Sequence, residues 1–396
     1  MDMQFAQRMD HFQPGIFNVL NDRKDALLRS GKKVYNLSVG TPDFPPAPHI
    51  REAMLQAVQI PENYRYSLGD LPELPEAVQS WYSGRYHVDL SADEIMSVYG
   101  SQEGLTHIAL TLCNPGDVVL VPDPGYPIFG IGPGLCGADV RTYALKEERD
   151  YLPDLDAIPA DTARACRMMV VSYPANPVGK TAPERFYRDL IAFAEKYNIV
   201  IVHDNAYSEI TFDGREGISF LSIPGAKEVG VEFNSLSKTY NLTGARISFV
   251  LGNREIIRRF RTLRSQIDYG IFLPVQKAAI AALTGPQDCV HRQRMAYQER
   301  RDALCGGLRR IGWNVPDSEG SMFVWAPVPD AWKRDDVRFC FDLMEKTGVI
   351  VTPGSAFGRE GVGYVRMALV LPPEELNDLI TKIDRTDLLR SALQNV

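Results

Sequence analysis

Short apolar runs and amphipathic stretches take turns through the middle of the chain. IMSVYG (95–100), DVVLVP (117–122), RMMVVSYP (167–174), IVIVHD (199–204), VGVEFN (229–234) and RISFVLG (246–252) are short, apolar and rich in β-branched residues. That pattern predicts strands buried on both faces. Between them the spacing predicts helices at about 102–113, from Tyr126 onward, and at about 183–197. Buried strands separated by helices imply a mostly parallel sheet covered on both sides. In such sheets ligands sit beyond the carboxyl ends of the strands.

The pattern changes after Pro286. A long polar helix at 287–311 leads to MFVWAPV (322–328), a helix at about 335–347, the runs GVIVTPG and GYVRMALV, and a last helix. A further helix, at 16–30, precedes the first sheet element. The expected class is therefore α/β, with a large domain over 48–286. Residues 1–47 and 287–396 together form a smaller α+β domain. No repeat or low-complexity linker interrupts this plan.

Composition narrows the function classes. The 396 residues are 45% hydrophobic and 23% charged, enough for a substantial core. The net charge is -7 and no basic block occurs, which argues against nucleic acid or an anionic membrane as partner. The start, MDMQFAQRMDHF, lacks the apolar centre of a signal peptide. No apolar run is long enough to span a bilayer. Six scattered cysteines with no CxxC pair suit reduced thiols in a cytoplasm. The six histidines show no HxxxH or HExxH spacing, so no metal site is expected.

Against this background, several polar residues fall just past strand ends. Asp204 ends IVIVHD, Asn176 follows VVSYP, and Ser101 follows VYG. Ser235 and Lys238 follow VGVEFN, and Tyr126 follows LVPDPG. Singly, each has an ordinary structural reading: turn former, helix cap or solvated amine. Together, at one edge of one sheet, they offer a carboxylate, an amide, hydroxyls, an amine and an aromatic ring to a single crevice.

The stretch SLSKTYNLTGAR (235–246) resembles the lysine motif of the class I aminotransferases, pyridoxal-phosphate enzymes of fold type I. VGTPDF, YRYSLGD, GSQEGL, PGYP, YPANPVG, DNAY and YVRMAL follow the same family's order, from position 39 to 369. The resemblance implies a seven-stranded large-domain sheet and pyridoxal 5′-phosphate as cofactor. It implies that the Lys238 amine holds the aldehyde cofactor covalently and later shuttles a proton. Asp204 would keep the ring nitrogen protonated, and Asn176 and Tyr207 would donate to the ring's phenolate oxygen. Tyr126 would stack on the ring. Ser101, the N–H groups of Gln102 and Glu103, Ser235, Ser237 and Arg246 would hold the phosphate. Tyr66 would reach the phosphate of a neighbouring subunit, making the active unit at least a homodimer with sites at the interface. Arg366 would bind the substrate carboxylate as a planar fork, with Gly40 allowing close backbone approach.

Two residues depart from the family pattern. Glu103 puts an acid beside the phosphate loop, so its side chain has to turn away. Ser248 stands where many relatives carry glycine, which puts close packing there in question. The implied reaction moves an amino group from an L-amino acid to a 2-oxo acid, with 2-oxoglutarate as the expected acceptor. GSQEGL and the segment around Lys238 look most like the LL-diaminopimelate branch. Aspartate or alanine transamination is one alternative, and a carbon–sulfur β-lyase on the same scaffold is another. A non-catalytic regulator is disfavoured, because no basic helix-turn-helix precedes residue 40 and both Lys238 and Arg366 are present.

Overall fold

The computed structural model describes residues 3–6, 8–9 and 16–390. Its strands are β1 (Tyr35–Asn36), β2 (Ile95–Val98), β3 (Val118–Asp123), β4 (Asp139–Ala144), β5 (Cys166–Ser172) and β6 (Val200–Asp204). They continue with β7 (Gly230–Ser235), β8 (Ser248–Gly252), β9 (Phe323–Pro327), β10 (Val349–Ile350), β11 (Thr352–Pro353) and β12 (Tyr364–Ala368). Seven of them form one sheet in the order β2-β8-β7-β6-β5-β3-β4. All its neighbours pair in parallel except β8, which runs against both β2 and β7. The expected α/β class with a mostly parallel seven-stranded sheet is what the chain adopts.

The covering helices follow from sequence spacing. Helix Glu184–Tyr197 buries Phe186, Tyr187, Leu190, Ile191 and Ala194, positions one helical turn apart on one face. Burying each large apolar side chain there contributes about 1.5–3 kcal/mol. The helix starts after Pro183 and stops at Asn198, which takes the left-handed conformation at φ 58° that ends helices.

Strand direction places the site. β2, β3, β5, β6 and β7 run the same way, so Val98, Asp123, Ser172, Asp204 and Ser235 end along one edge. The reversed β8 starts at that edge, which brings Ser248 opposite Ser235. The chain's two ends meet nearby. β1 pairs with β10, and β12 lies between β11 and β9 in an antiparallel sheet. A second core joins Tyr35 and Leu37 to residues between Tyr297 and Leu388. It also takes in Tyr207, Ile210 and Phe212 from the loop after β6, so that loop belongs to both layers of packing.

Some details differ from the sequence expectation. β4 carried no apolar run, because it is the outer strand and exposes Asp139, Arg141 and Thr142. Polar residues on an edge strand blunt further pairing. The helix expected from Tyr126 begins at Ile128, after Pro127. GVIVTPG divides between two sheets, β10 joining β1 and β11 joining β12. No helix among the described residues is long and apolar enough to cross a membrane.

Candidate active site

A cavity of about 440 Å³ opens at the shared strand edge. Lys238 sits in its floor, on the single helical turn Leu236–Thr239 that follows β7. Ser235 caps that turn, its Oγ accepting from the Ser237 N–H at 3.1 Å. The Lys238 amine donates to the Gly40 carbonyl at 2.7 Å. Burial, then the Arg366 and Arg246 guanidiniums, pull its pKa down to about 8, against the opposite pull of Asp204. A neutral, nucleophilic amine is thus within reach near neutral pH.

Asp204 ends β6 and faces the same cavity. It is buried, and its Oδ1 has no hydrogen-bond partner. Burial pushes its carboxyl up to about 6, although His203, the Ala206 N–H and Lys238 act the other way. An unpaired buried carboxylate is costly unless a cationic donor completes it.

The walls supply further unpaired donors. Asn176 spends its Oδ1 on Arg366 Nη1, at 3.0 Å. Its Nδ2 and the Tyr207 hydroxyl have no hydrogen-bond partner among the described residues, and both residues line the cavity. Burial raises the Tyr207 phenol, with the Asp204 charge adding to the shift, so the hydroxyl keeps its proton. Tyr126 is oriented by its hydroxyl, which donates to Gln102 Oε1 at 2.9 Å.

Arg366, on β12, is buried without an acidic partner among the described residues. It donates to Asn176 Oδ1 and, at 2.9 Å, to the Ser38 carbonyl, while its Nε has no partner. The rings of Phe323 and Phe357 lie 4.1 and 4.5 Å from its guanidinium carbon. Burial lowers its pKa to about 10, which still leaves it charged at neutral pH. A buried cation with a free N–H and no counter-charge is prepared for a carboxylate.

The anion cup lies at the other end. Ser101 starts the helix Ser101–Leu112, whose first N–H groups and dipole favour an anion. Gly100 precedes it at φ +85°, and a Cβ there would overlap the Arg246 guanidinium. Arg246 donates to the carbonyls of Thr243 and Tyr99, at 2.8 and 3.4 Å, and meets no acid among the described residues. Ser235, Ser237 and Gln102 complete the lining. Ser248 is fully buried, and its hydroxyl joins those of Ser101 and Ser235 at 3.3 and 2.9 Å. The departure from glycine is therefore accommodated by a chain of three hydroxyls, without loss of packing.

Two of the named residues do not line this cavity, and neither side chain was expected to: Glu103 was to turn away, and Tyr66 to serve a neighbouring subunit. The Glu103 side chain turns away to Arg264, His107 and the Tyr99 N–H, at 3.0, 2.6 and 3.1 Å. Tyr66 is 80% exposed, with its ring 5.0 Å from that of Tyr269. Conversely, Ser38, Phe323 and Thr243 contribute to the site without having been singled out from sequence. Ser38 acts through its carbonyl, which no side-chain motif announces. Phe323 lay inside an ordinary apolar run, and Thr243 inside the lysine motif itself.

An amine, an unpaired buried carboxylate, two free donors, an aromatic ring and an anion cup suit a flat, phosphorylated heteroaromatic aldehyde. The family model described as aminotransferase class I and II matches residues 32–383. The chain belongs to this aminotransferase family. An LL-diaminopimelate aminotransferase from Moorella thermoacetica is 40% identical over 385 residues, 97% of this chain and 98% of that protein. The substrate-bound structure of BacF from Bacillus subtilis superposes with a TM-score of 0.94 at 33% identity, over the full length of both chains. A Thermus thermophilus aspartate aminotransferase mutant gives 0.91 at 25% identity, covering 97% of this chain and all of that one. As a class I aminotransferase the protein is a transaminase that depends on pyridoxal 5′-phosphate.

The two shifted groups predict how this aminotransferase takes up its cofactor. Only the neutral lysine attacks an aldehyde, so capture by cofactor-free protein should quicken as pH rises and level off above about 8. Affinity should weaken as pH falls through about 6, where Asp204 gains its proton and loses its charge. Stopped-flow absorbance with pyridoxal phosphate reads the first trend, and equilibrium titration the second. A rate independent of pH would contradict a lysine held near 8.

Proposed function

We propose that the protein transfers the amino group of LL-diaminopimelate to 2-oxoglutarate. The observation carrying a carboxylic acid substrate is Arg366, buried and charged with a free Nε and no acid beside it. The donor is supported by several relatives at 38–41% identity that are named for it.

When bound, the cofactor supplies an aldehyde for the amino group and a ring that stores electrons as the Cα–H bond breaks. Lys238 is proposed to hold the aldehyde first, then to take the Cα proton and return it on the far side of the transfer. Arg366 holds the α-carboxylate through its planar fork, with the Gly40 backbone close by. Asp204 would keep a proton on the ring nitrogen, and Asn176 Nδ2 and the Tyr207 hydroxyl would be the donors available to the ring's phenolate oxygen. Tyr126 would offer its ring face to the cofactor. Ser101, the Gln102 and Glu103 N–H groups, Ser235, Ser237 and Arg246 would hold the phosphate. Residues 48–286 are proposed as the unit that binds cofactor, and 1–47 with 287–396 as the unit that brings Arg366 and Gly40; residues 1–2, 7, 10–15 and 391–396 of that second unit lie outside the described residues.

A homodimer in the cytoplasm completes the reading. Tyr64, Tyr66, Leu68, Tyr269 and Phe272 are all exposed, and the aromatic ones pair across two segments. The Ser67–Gly270 bridge joins those segments into one patch. Such a patch suits a second copy of the chain, with Tyr66 reaching its cavity.

A donor panel of LL-diaminopimelate, aspartate, alanine and glutamate, with 2-oxoglutarate as acceptor, tests the proposal. LL-diaminopimelate is expected to give the highest kcat/KM, from protein that sediments as a dimer. A preference for aspartate or alanine would overturn the donor assignment. Release of ammonia and pyruvate from cystathionine without an oxo acid would favour the lyase.

A further inference from the structure

Asp123 ends β3 and stays outside the cavity, yet two of the cavity's walls are fastened to it. Its buried carboxylate accepts two backbone N–H groups from the loop that precedes β12. Oδ1 accepts from Glu360 at 2.9 Å and Oδ2 from Arg359 at 3.1 Å. Two residues further on, the Gly125 N–H donates to the Phe357 carbonyl at 2.8 Å. Gly358, at φ +132°, lets the loop approach so closely that a Cβ there would overlap Asp123 Oδ1. Three hydrogen bonds and one glycine contact therefore lock residues 357–360 to the turn after β3.

Each side of that lock carries a part of the site. The turn continues into Tyr126, which lines the cavity. The loop carries Phe357, whose ring lies 4.5 Å from the Arg366 guanidinium carbon. We infer that Asp123 is a positioning residue that sets the Arg366 fork in register with the Tyr126 ring, and so sets where the substrate carboxylate docks. This rests on the substrate role proposed for Arg366. The residue type is suited to the task. A carboxylate is an acceptor at both oxygens, so it can take two N–H groups at once. An asparagine has one acceptor and presents N–H groups to the other donor. An alanine leaves two partly buried N–H groups unpaired.

The test uses the holoenzyme and compares Asp123→Asn, Asp123→Ala and Gly358→Ala with wild type. A shift of the fork by a fraction of an ångström is expected to raise KM for both the amino acid and the oxo acid by about tenfold. Pyridoxal phosphate affinity should stay within about twofold, since the anion cup and Asp204 are untouched. The double variant Asp123→Ala/Gly358→Ala should lose less than the two single effects combined, because the Gly358 overlap is with the removed carboxylate. Unchanged KM in both Asp123 variants overturns the inference. So does a parallel fall in KM-derived affinity, cofactor affinity and Tm, which would mark a merely structural role. If the wild type itself neither turns over nor binds these acids, the proposed function falls and this inference with it. If the wild type does and the variants match it, this inference alone falls.

Discussion

Lys238→Ala is expected to lower turnover by about 10⁴-fold or more, the upper range for losing a positioned proton-transfer group, with a covalent anchor lost as well. The fold should survive, because the side chain spans a cavity and makes one hydrogen bond, to the Gly40 carbonyl. Cofactor should still bind, held at its two ends by the serine–Arg246 cup and by Asp204. Its absorbance should be that of the free aldehyde. Small primary amines added to the solution should restore part of the rate by entering the space the side chain leaves. Lys238→Arg keeps the charge and should be as inactive, because a guanidinium does not give up its proton at working pH. Near-normal turnover in either variant would remove Lys238 from the chemistry.

Asp204→Asn is expected to cost about 3–5 kcal/mol of the stabilisation available to the bound ring, the range for breaking a buried charge pair. That corresponds to roughly two to four decades in kcat at about 1.4 kcal/mol each. The amide matches the carboxylate in size and can still accept a hydrogen bond. It lacks the negative charge that keeps a proton on the ring nitrogen. The loss should therefore appear in kcat more than in the fold, and Tm may be compared directly because the unpaired Oδ1 contributes no hydrogen bond to be lost. Removing the charge of this buried carboxylate is expected to leave the Tm of the cofactor-free protein unchanged or higher. An Asn variant with full kcat would show that the ring needs no anionic partner here.

How much of this was legible in the sequence depended on which physical signal each part leaves. The central strands were readable because burial on both faces forces continuous apolar runs, as in β5 and β6. Their carboxyl ends then located Asp204, Ser235 and Lys238 at one edge. β4 left no such signal, because an edge strand is solvated and polar. Ser38, and the bond Gly40 makes to the Lys238 amine, were hidden for a different reason: both act through carbonyl oxygens, and every residue has one. Asp123 stood in plain view in LVPDPGYP. Its partners, however, are backbone groups 236 and 237 residues away, and no local pattern encodes that distance. Ser248 could be marked as unusual from the family pattern. That it bridges two other hydroxyls required the antiparallel register of β8 against β7.

The separation of Arg366 from its neighbours in sequence bears on how the protein is made. Its guanidinium is held by the carbonyl of Ser38, 328 positions earlier, and by Asn176, 190 positions earlier. A growing polypeptide emerges from the ribosome in order, so Ser38, Asn176, Asp204 and Lys238 are all present well before the fork exists. An unfinished chain can thus possess every group proposed to grip the vitamin B6 derivative while lacking the one proposed to recognise an amino acid. Of the groups proposed for the reaction, the one for amino-acid recognition is the last to be synthesised.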